Sequence, residues 1–281
     1  MSNEPCILPL MKSGVLFGFV VILTGFCLGG CGVFTSTPNF EDVVTAQTGP
    51  DGASSLSIGI PPGGTGNGDL LVAVLGIKAN PNTAGPDGWT AVPGLDGFNG
   101  ATCQSDGQGT ACQLAVFYSI ADGSETSVSF NWGSVRRAAG AVLRLSNADT
   151  NDPIGVARVQ RGSSARPTAP VVGTTRDGSR VLRIVVAELD EARTFLAGPV
   201  ALTDPPGFLR LNMVSFPDAS TDPSNGCGPP LSACEATGRA VGLAVSDTRH
   251  TSAGPSGPSR WELNGSDQWV AASIEIKRPP G

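Results

Sequence analysis

The segment that decides the fold runs from Leu114 to Leu145, LAVFYSIADGSETSVSFNWGSVRRAAGAVLRL. Leu114, Val116, Tyr118 and Ile120 alternate with Gln113, Ala115, Phe117 and Ser119. After the Asp122-Gly123 punctuation, Val128, Phe130 and Trp132 alternate with Ser127, Ser129 and Asn131. Gly133-Ser134 reads as the next turn, and Ala139, Ala141, Leu143 and Leu145 resume the alternation. A period of two puts one set of side chains on each face of a pleated strand, so this is a run of half-buried strands joined by turns.

The same pattern extends outward in both directions. Val241, Leu243 and Val245 alternate late in the chain, and Val270, Ala272, Ile274 and Ile276 close it, with Ser273, Glu275 and Lys277 read as facing water. Two runs, Leu70 to Ile77 and Val181 to Ala187, are apolar on nearly both faces, as a central strand covered on two sides must be. No window carries a sustained helical period with caps. The expectation is an all-β domain, a two-sheet antiparallel sandwich of jelly-roll-like form built from about fourteen short strands.

The chain also repeats itself faintly. GDLLVAVLGI (Gly68 to Ile77) is followed by Pro86-Asp87-Gly88-Trp89, a polar loop, a strand and a hairpin ending near Leu143. Asp177 to Ala187 is followed by Pro205-Pro206-Gly207-Phe208, a polar loop with cysteines, the strand Ala240 to Ser246, and a Trp-containing hairpin ending at Ile276. Each copy has too few central strands to close a core alone, so one domain over residues 41–281 with two similar strand sets is expected. The succession GDLLVA, PDGWT, LAVFYSIADGSETSVSFNW and AAGAVLRLSNADTNDPIG, with its Asp152-Pro153-Ile154 turn, resembles a family of secreted bacterial and phage-associated β-sandwich domains. Those domains are met as accessory modules in large surface proteins. The resemblance spans most of residues 50–277 and implies a fold; it carries no catalytic signature.

Residues 1–30 have the order of a signal peptide, expected as a helix. Lys12 precedes the apolar run Val15 to Phe26, and small residues follow. Leu28-Gly29-Gly30-Cys31 resembles the bacterial lipobox, which implies cleavage before Cys31 and diacylglycerol on its thiol. Gly32, where a retained lipoprotein carries Asp, resembles the pattern of export to the outer membrane or cell surface. Residues 31–40 read as a tether. Of seven cysteines, Cys6 and Cys27 leave with the signal and Cys31 takes the lipid, so Cys103, Cys112, Cys227 and Cys234 remain. An even remainder in an exported chain reads as two disulfides, and of the three connectivities the local pairs Cys103–Cys112 and Cys227–Cys234 are favoured.

Composition narrows the function. The net charge is −6, only 15% of residues are charged, and no arginine-rich run exists, so nothing offers an electrostatic footprint for nucleic acid. His250 is the single histidine, read as a solvated loop residue, and no GxSxG elbow accompanies it. Carboxylates that a glycoside hydrolase would need are Glu188, Asp190 and Glu191 after one central strand, and Glu262 and Asp267 in the last hairpin. Asp149, Asn151 and Asp152 offer calcium-type oxygens on a turn, a weak metal site and the one cofactor considered. GGTGNG before the first central strand lacks the Lys-Ser/Thr of a phosphate loop and reads as a connector, and Asn264-Gly265-Ser266 reads as a hairpin turn. Trp132 and Trp261 are read as core, whereas Trp89 and Trp269 could form an exposed platform for a sugar ring. The expectation is a non-enzymatic, lipid-anchored envelope protein that binds surface partners, carbohydrate or envelope protein. A purely structural envelope role and a carboxylate hydrolase are the alternatives.

Overall fold

The computed structural model describes residues 37–49, 52–61, 67–78, 85–96, 101–103, 112–189, 195–201, 208–215, 240–263 and 265–281. The signal segment, Cys31, Asp190, Glu191, Asn264 and the pair Cys227 and Cys234 lie outside these residues. Thr35–Gly281 forms one compact unit. The first half of the chain supplies β1 (Asn39–Gln47), β2 (Ala53–Gly59), β3 (Leu70–Lys78), β4 (Thr90–Ala91), β5 (Cys112–Ile120), β6 (Ser127–Arg136) and β7 (Ala138–Ser146). The second supplies β8 (Ile154–Ser164), β9 (Thr168–Ala169), β10 (Gly173–Thr174), β11 (Arg180–Leu189), β12 (Phe195–Ala201), β13 (Phe208–Ser215), β14 (Ala240–Arg249), β15 (Gly254–Pro255), β16 (Ser259–Leu263) and β17 (Asp267–Ile276). β1 starts at Asn39, so the last two residues of the expected tether belong to the sheet.

The fold is an all-β antiparallel sandwich of two five-stranded sheets, ordered β1-β7-β3-β5-β4 and β13-β14-β11-β17-β8. The two apolar runs are the middle strands of these sheets, β3 and β11, as continuous hydrophobicity requires. Between the sheets lies the main core. It is built from Leu70, Val72 and Val74, from Leu114 and Val116, and from Leu182, Ile184 and Val186 with Leu243, Val245, Ala272 and Ile274 opposite. Full burial of each aliphatic side chain contributes about 1.5–3 kcal/mol, so this layer dominates the stability of the unit.

Each sheet also buries its outer face, which alternation alone did not indicate. The β2-β6 pair covers the first sheet through Leu56, Ile58, Val128, Phe130 and Trp132 on Leu71, Ala73, Leu75 and Phe117. The β12-β16-β9 sheet covers the second through Trp261 and Leu263 on Val185, Ala187, Ala244 and Trp269. The reading of the last strand is also corrected: Ser273 and Glu275 are completely buried and Lys277 nearly so, because Pro170, Thr175–Ser179 and Asp152 engage the face that was expected to meet water. The expected turn at Gly133-Ser134 is also absent. β6 continues to Arg136 as a bulge in which residues 132–135 lie opposite Ser54, and the positive φ of Gly133 (69°) makes the irregularity.

The two halves have one topology. Read from the β8 edge, the second sheet runs β8-β17-β11-β14-β13, matching β1-β7-β3-β5-β4 strand for strand, and the β9-β16 cover matches β2-β6. The registers agree as well. Val74 is opposite Val116 and Ala141, and Ile184 is opposite Val245 and Ala272. Gly68 and Gly178, each two residues before the central strand, both have positive φ, at 96° and 71°. A left-handed turn at that point lets the chain enter the middle of each sheet in the same way.

Candidate binding end

The chain enters the unit at one end of the paired sheets. The Pro38 carbonyl accepts a bond of 2.8 Å from Arg180 Nε at the start of β11, and Thr37 abuts Gly178. Arg180 is buried and paired with the fully buried Asp247, so the entry point is clamped by an internal ion pair. The other terminus returns to the same end. Lys277 N donates to the Pro153 carbonyl at 2.8 Å, and Arg176 Nη1 donates to the Arg278 carbonyl at 2.8 Å.

At the opposite end, the finish of β3 meets the finish of β11. Lys78 Nζ lies 3.1 Å from Glu188 Oε1, bridging the two sheets. Cys103 and Cys112 form a disulfide, and both Sγ atoms lie 3.9 Å from the Val186 carbonyl of the facing sheet. Both cysteines are buried in the main core. The bridge therefore seals the rim of that core while closing the segment QSDGQGTA, residues 104–111. The corresponding segment of the second half leaves β13 at Ser215 and rejoins β14 at Ala240, beside Val241, which also lines the rim. That segment contains Cys227 and Cys234. Both cysteine-bearing polar segments thus depart from one end, the end remote from Thr37.

The floor of this end has further features that sequence reading missed. Gln113 is wholly buried next to Cys112, and neither its amide nitrogen nor its amide oxygen has a partner. An orphaned amide in a closed place costs about 1–3 kcal/mol per group. Lys78 N bonds to the Arg137 carbonyl at 2.9 Å, placing Arg137 at the same rim, and the β6 bulge leaves Val135 60% exposed beside it. The sequence signal for these residues was present but slight: a glutamine inside an apolar strand, and a basic pair directly before a strand.

Other expected sites come out differently. Trp269 lies on the face opposite Ile274, as expected, but β16 and β9 cover it: it is 4% exposed and its Nε1 donates to Ser164 Oγ at 3.1 Å. It offers no platform. Trp89 is half-buried against the first outer core, so only part of its ring meets solvent. Trp132 and Trp261 are core residues, 5% and 0% exposed.

The groups of the calcium reading, Asp149, Asn151 and Asp152, are engaged within the chain itself. Asp149 Oδ1 accepts from the N–H groups of Asn151 and Asp152, its Oδ2 takes Arg176 Nη1 at 2.6 Å, and Asp152 pairs with Lys277. Burial pushes the Asp149 carboxyl up, but the Arg176 bond and the two N–H bonds outweigh it and hold it below the ordinary 3.8. Among the described residues no group of three or more metal-ligating side chains gathers. His250 is not a solvated loop residue either: it is 9% exposed, and burial depresses its pKa. Glu188 is held by Lys78 at the sheet end, whereas Glu262 lies on β16 beside Arg260, 3.7 Å away. Asp267 opens β17 and is 8% exposed.

Compared with known proteins, the chain matches no family model, no curated protein and no solved structure. Among the described residues no helix is long and apolar enough to cross a membrane.

Proposed function

We propose that this protein is a lipid-anchored protein of the bacterial cell envelope that binds surface partners non-catalytically through its cysteine-bearing end. One observation carries the reading: the two polar cysteine segments leave the sandwich at one end, and the chain enters it at the other. Five residues lie between Cys31 and Thr37, a reach of at most about 20 Å over six peptide steps, so a lipid on Cys31 would hold the entry end near the bilayer and turn the cysteine-bearing end away from it. Acyl chains contribute about 0.8 kcal/mol per buried methylene, enough to hold an exported domain stably when several are attached. The segments themselves, QSDGQGTA and the Gly-, Pro- and Ser-rich stretch around Cys227, offer hydroxyls, amides and backbone groups rather than apolar anchors. That chemistry suits a hydroxyl-rich partner, a glycan of the envelope or of another cell. A disulfide under the first segment limits the conformational entropy lost on binding.

The test has two parts. Mass analysis of the mature protein from membranes is expected to find acylated Cys31 at the amino terminus; an unmodified thiol there removes the anchor. Binding of the full chain to a glycan array and to whole cells is then compared with a variant in which residues 104–111 are replaced by a Gly-Ser linker of equal length. Loss of binding with unchanged thermal stability supports the reading. Equal binding by both proteins places the contact elsewhere, and no binding by either favours a structural envelope role.

A further inference from the structure

The matched halves allow their outer layers to be compared position by position. Because Val74 and Ile184 occupy one place in the register, Ala73 corresponds to Arg183 and Phe117 to Ser246. In the first half the corresponding positions are apolar, with Phe117 and Phe130 in tilted contact at 5.8 Å between ring centroids, and the buried polar side chain of that face, Gln113, lies at its far end. In the second half a buried cation takes the place of a methyl group and a hydroxyl the place of a ring.

Arg183 is 1% exposed in the middle of β11. Its Nη1 donates to Thr248 Oγ1 at 2.5 Å, and its Nη2 to the carbonyls of Ser256 at 2.7 Å and Gly257 at 3.3 Å. All three partners are neutral. Desolvation lowers its pKa to about 10, which leaves it charged at neutral pH. The buried acid of the adjacent strand, Glu275, is engaged by the N–H groups of Val156, Thr175 and Arg176 and by the hydroxyls of Thr175 and Ser179. Among the described residues no acid forms a salt bridge with Arg183, and a buried charge held only by neutral groups is costly to a core.

The same layer contains unmet polar groups. Arg183 Nε, Ser246 Oγ, Ser259 Oγ and Trp261 Nε1 are all buried and all lack a partner. Ser246 is the direct cross-strand partner of Arg183, and Ser259 follows two residues after the Gly257 that Arg183 grips. Two N–H groups and two hydroxyls of this layer, two of them on Arg183 and its cross-strand partner, are thus donors without acceptors. Water would accept some of these bonds but would leave the charge uncompensated; an anion supplies both.

We propose that the outer layer of the second strand set is a binding site for a small monovalent anion, a halide or a simple carboxylate, held by Arg183, Ser246, Ser259 and Trp261. The test is thermal unfolding of the full chain in mild detergent, titrated with sodium chloride, sodium formate or sodium gluconate at matched ionic strength. Gluconate, a bulky polyhydroxylated anion, is the reference for screening. Chloride or formate is expected to raise Tm saturably, on the order of 2–5 °C above gluconate, because a ligand bound only by the folded state stabilises it by mass action. Which of the two acts at lower concentration tells halide from carboxylate. The Ser246→Ala/Ser259→Ala double variant, which keeps the backbone and loses both hydroxyls, is expected to lose that excess. Arg183→Met, where it folds, is expected to lose it too. An identical response to all three salts overturns the proposal and leaves the layer to water. An anion-specific response that survives in the double variant also overturns it, by placing the site elsewhere.

Discussion

Lys78 and Glu188, the last charged side chains of the two central strands, meet at 3.1 Å across the gap between the sheets. They tie the halves of the sandwich together at the end from which the cysteine segments depart. Glu188 is 3% exposed at its side chain and Lys78 30%, so the carboxylate is the desolvated partner. Replacing Lys78 by Met is therefore expected to cost about 1–3 kcal/mol, since it removes a cation in contact with a buried carboxylate. Glu188→Gln, which removes that charge, is expected to cost less. Urea unfolding of the two variants gives the ordering, and a larger loss in Glu188→Gln would contradict this account.

The Cys103–Cys112 bridge closes a short segment of the chain, and both cysteines belong to the main core. On the chain-entropy model a loop of this length stabilises the fold by about 2–3 kcal/mol. Cys103→Ser/Cys112→Ser is expected to lower the unfolding free energy by that amount. Both sulfur-bearing residues are at most 2% exposed. Thiol labelling of the native wild type in mild reductant should thus track global unfolding rather than a faster local reaction.

His250 gives the domain a pH dependence with a definite sign. Its ordinary value is 6.5, and in the fold it is lower, first through desolvation and then through the positive charge of Arg183, with Glu275 opposing. Unfolded chains then bind a proton that the folded chain resists. Stability attached to this group is complete above pH 6.5 and is lost as pH falls from 6.5 through the lower folded value. Unfolding free energy measured from pH 7.5 to 5 should fall for the wild type and fall less for His250→Gln.

Two glycines separate backbone strain from crowding. Gly52 (φ 74°) would place a Cβ 2.7 Å from the Arg136 carbonyl carbon and oxygen, whereas Gly94 (φ 75°) has nothing within 4 Å of that position. Gly94→Ala is expected to cost about 1 kcal/mol from the left-handed conformation alone. Gly52→Ala should cost about 2–4 kcal/mol, because the backbone of β6 must also move. Equal losses in thermal melts of the two variants would show that the contact carries no weight.

Much of the molecule was legible from one dimension. A period of two is a local property of the chain, so the strands containing Leu114, Val128 and Leu143 were readable, as were the two central strands, where both faces are apolar. The closed Cys103–Cys112 segment followed from short spacing and an even count. What covers a strand is not local. Ser273 and Glu275 carry the polarity of a wet face, yet the chain between β9 and β11 reaches them through Pro170, Thr175 and Ser179 and supplies hydrogen bonds in place of water. Covering by β9 and β16 turned Trp269 from a surface ring into a buried one.

The sequence by itself determined that this chain is extended, antiparallel and built from two similar halves, because alternation and motif order are written residue by residue. Only the tertiary structure decided that both cysteine segments share an end, that Arg183 is held by neutral groups where the first half has Ala73, and that Gln113 and Lys78 lie at the rim. Those relations depend on which strands become neighbours across the core, and burial energy summed over the whole chain sets that choice.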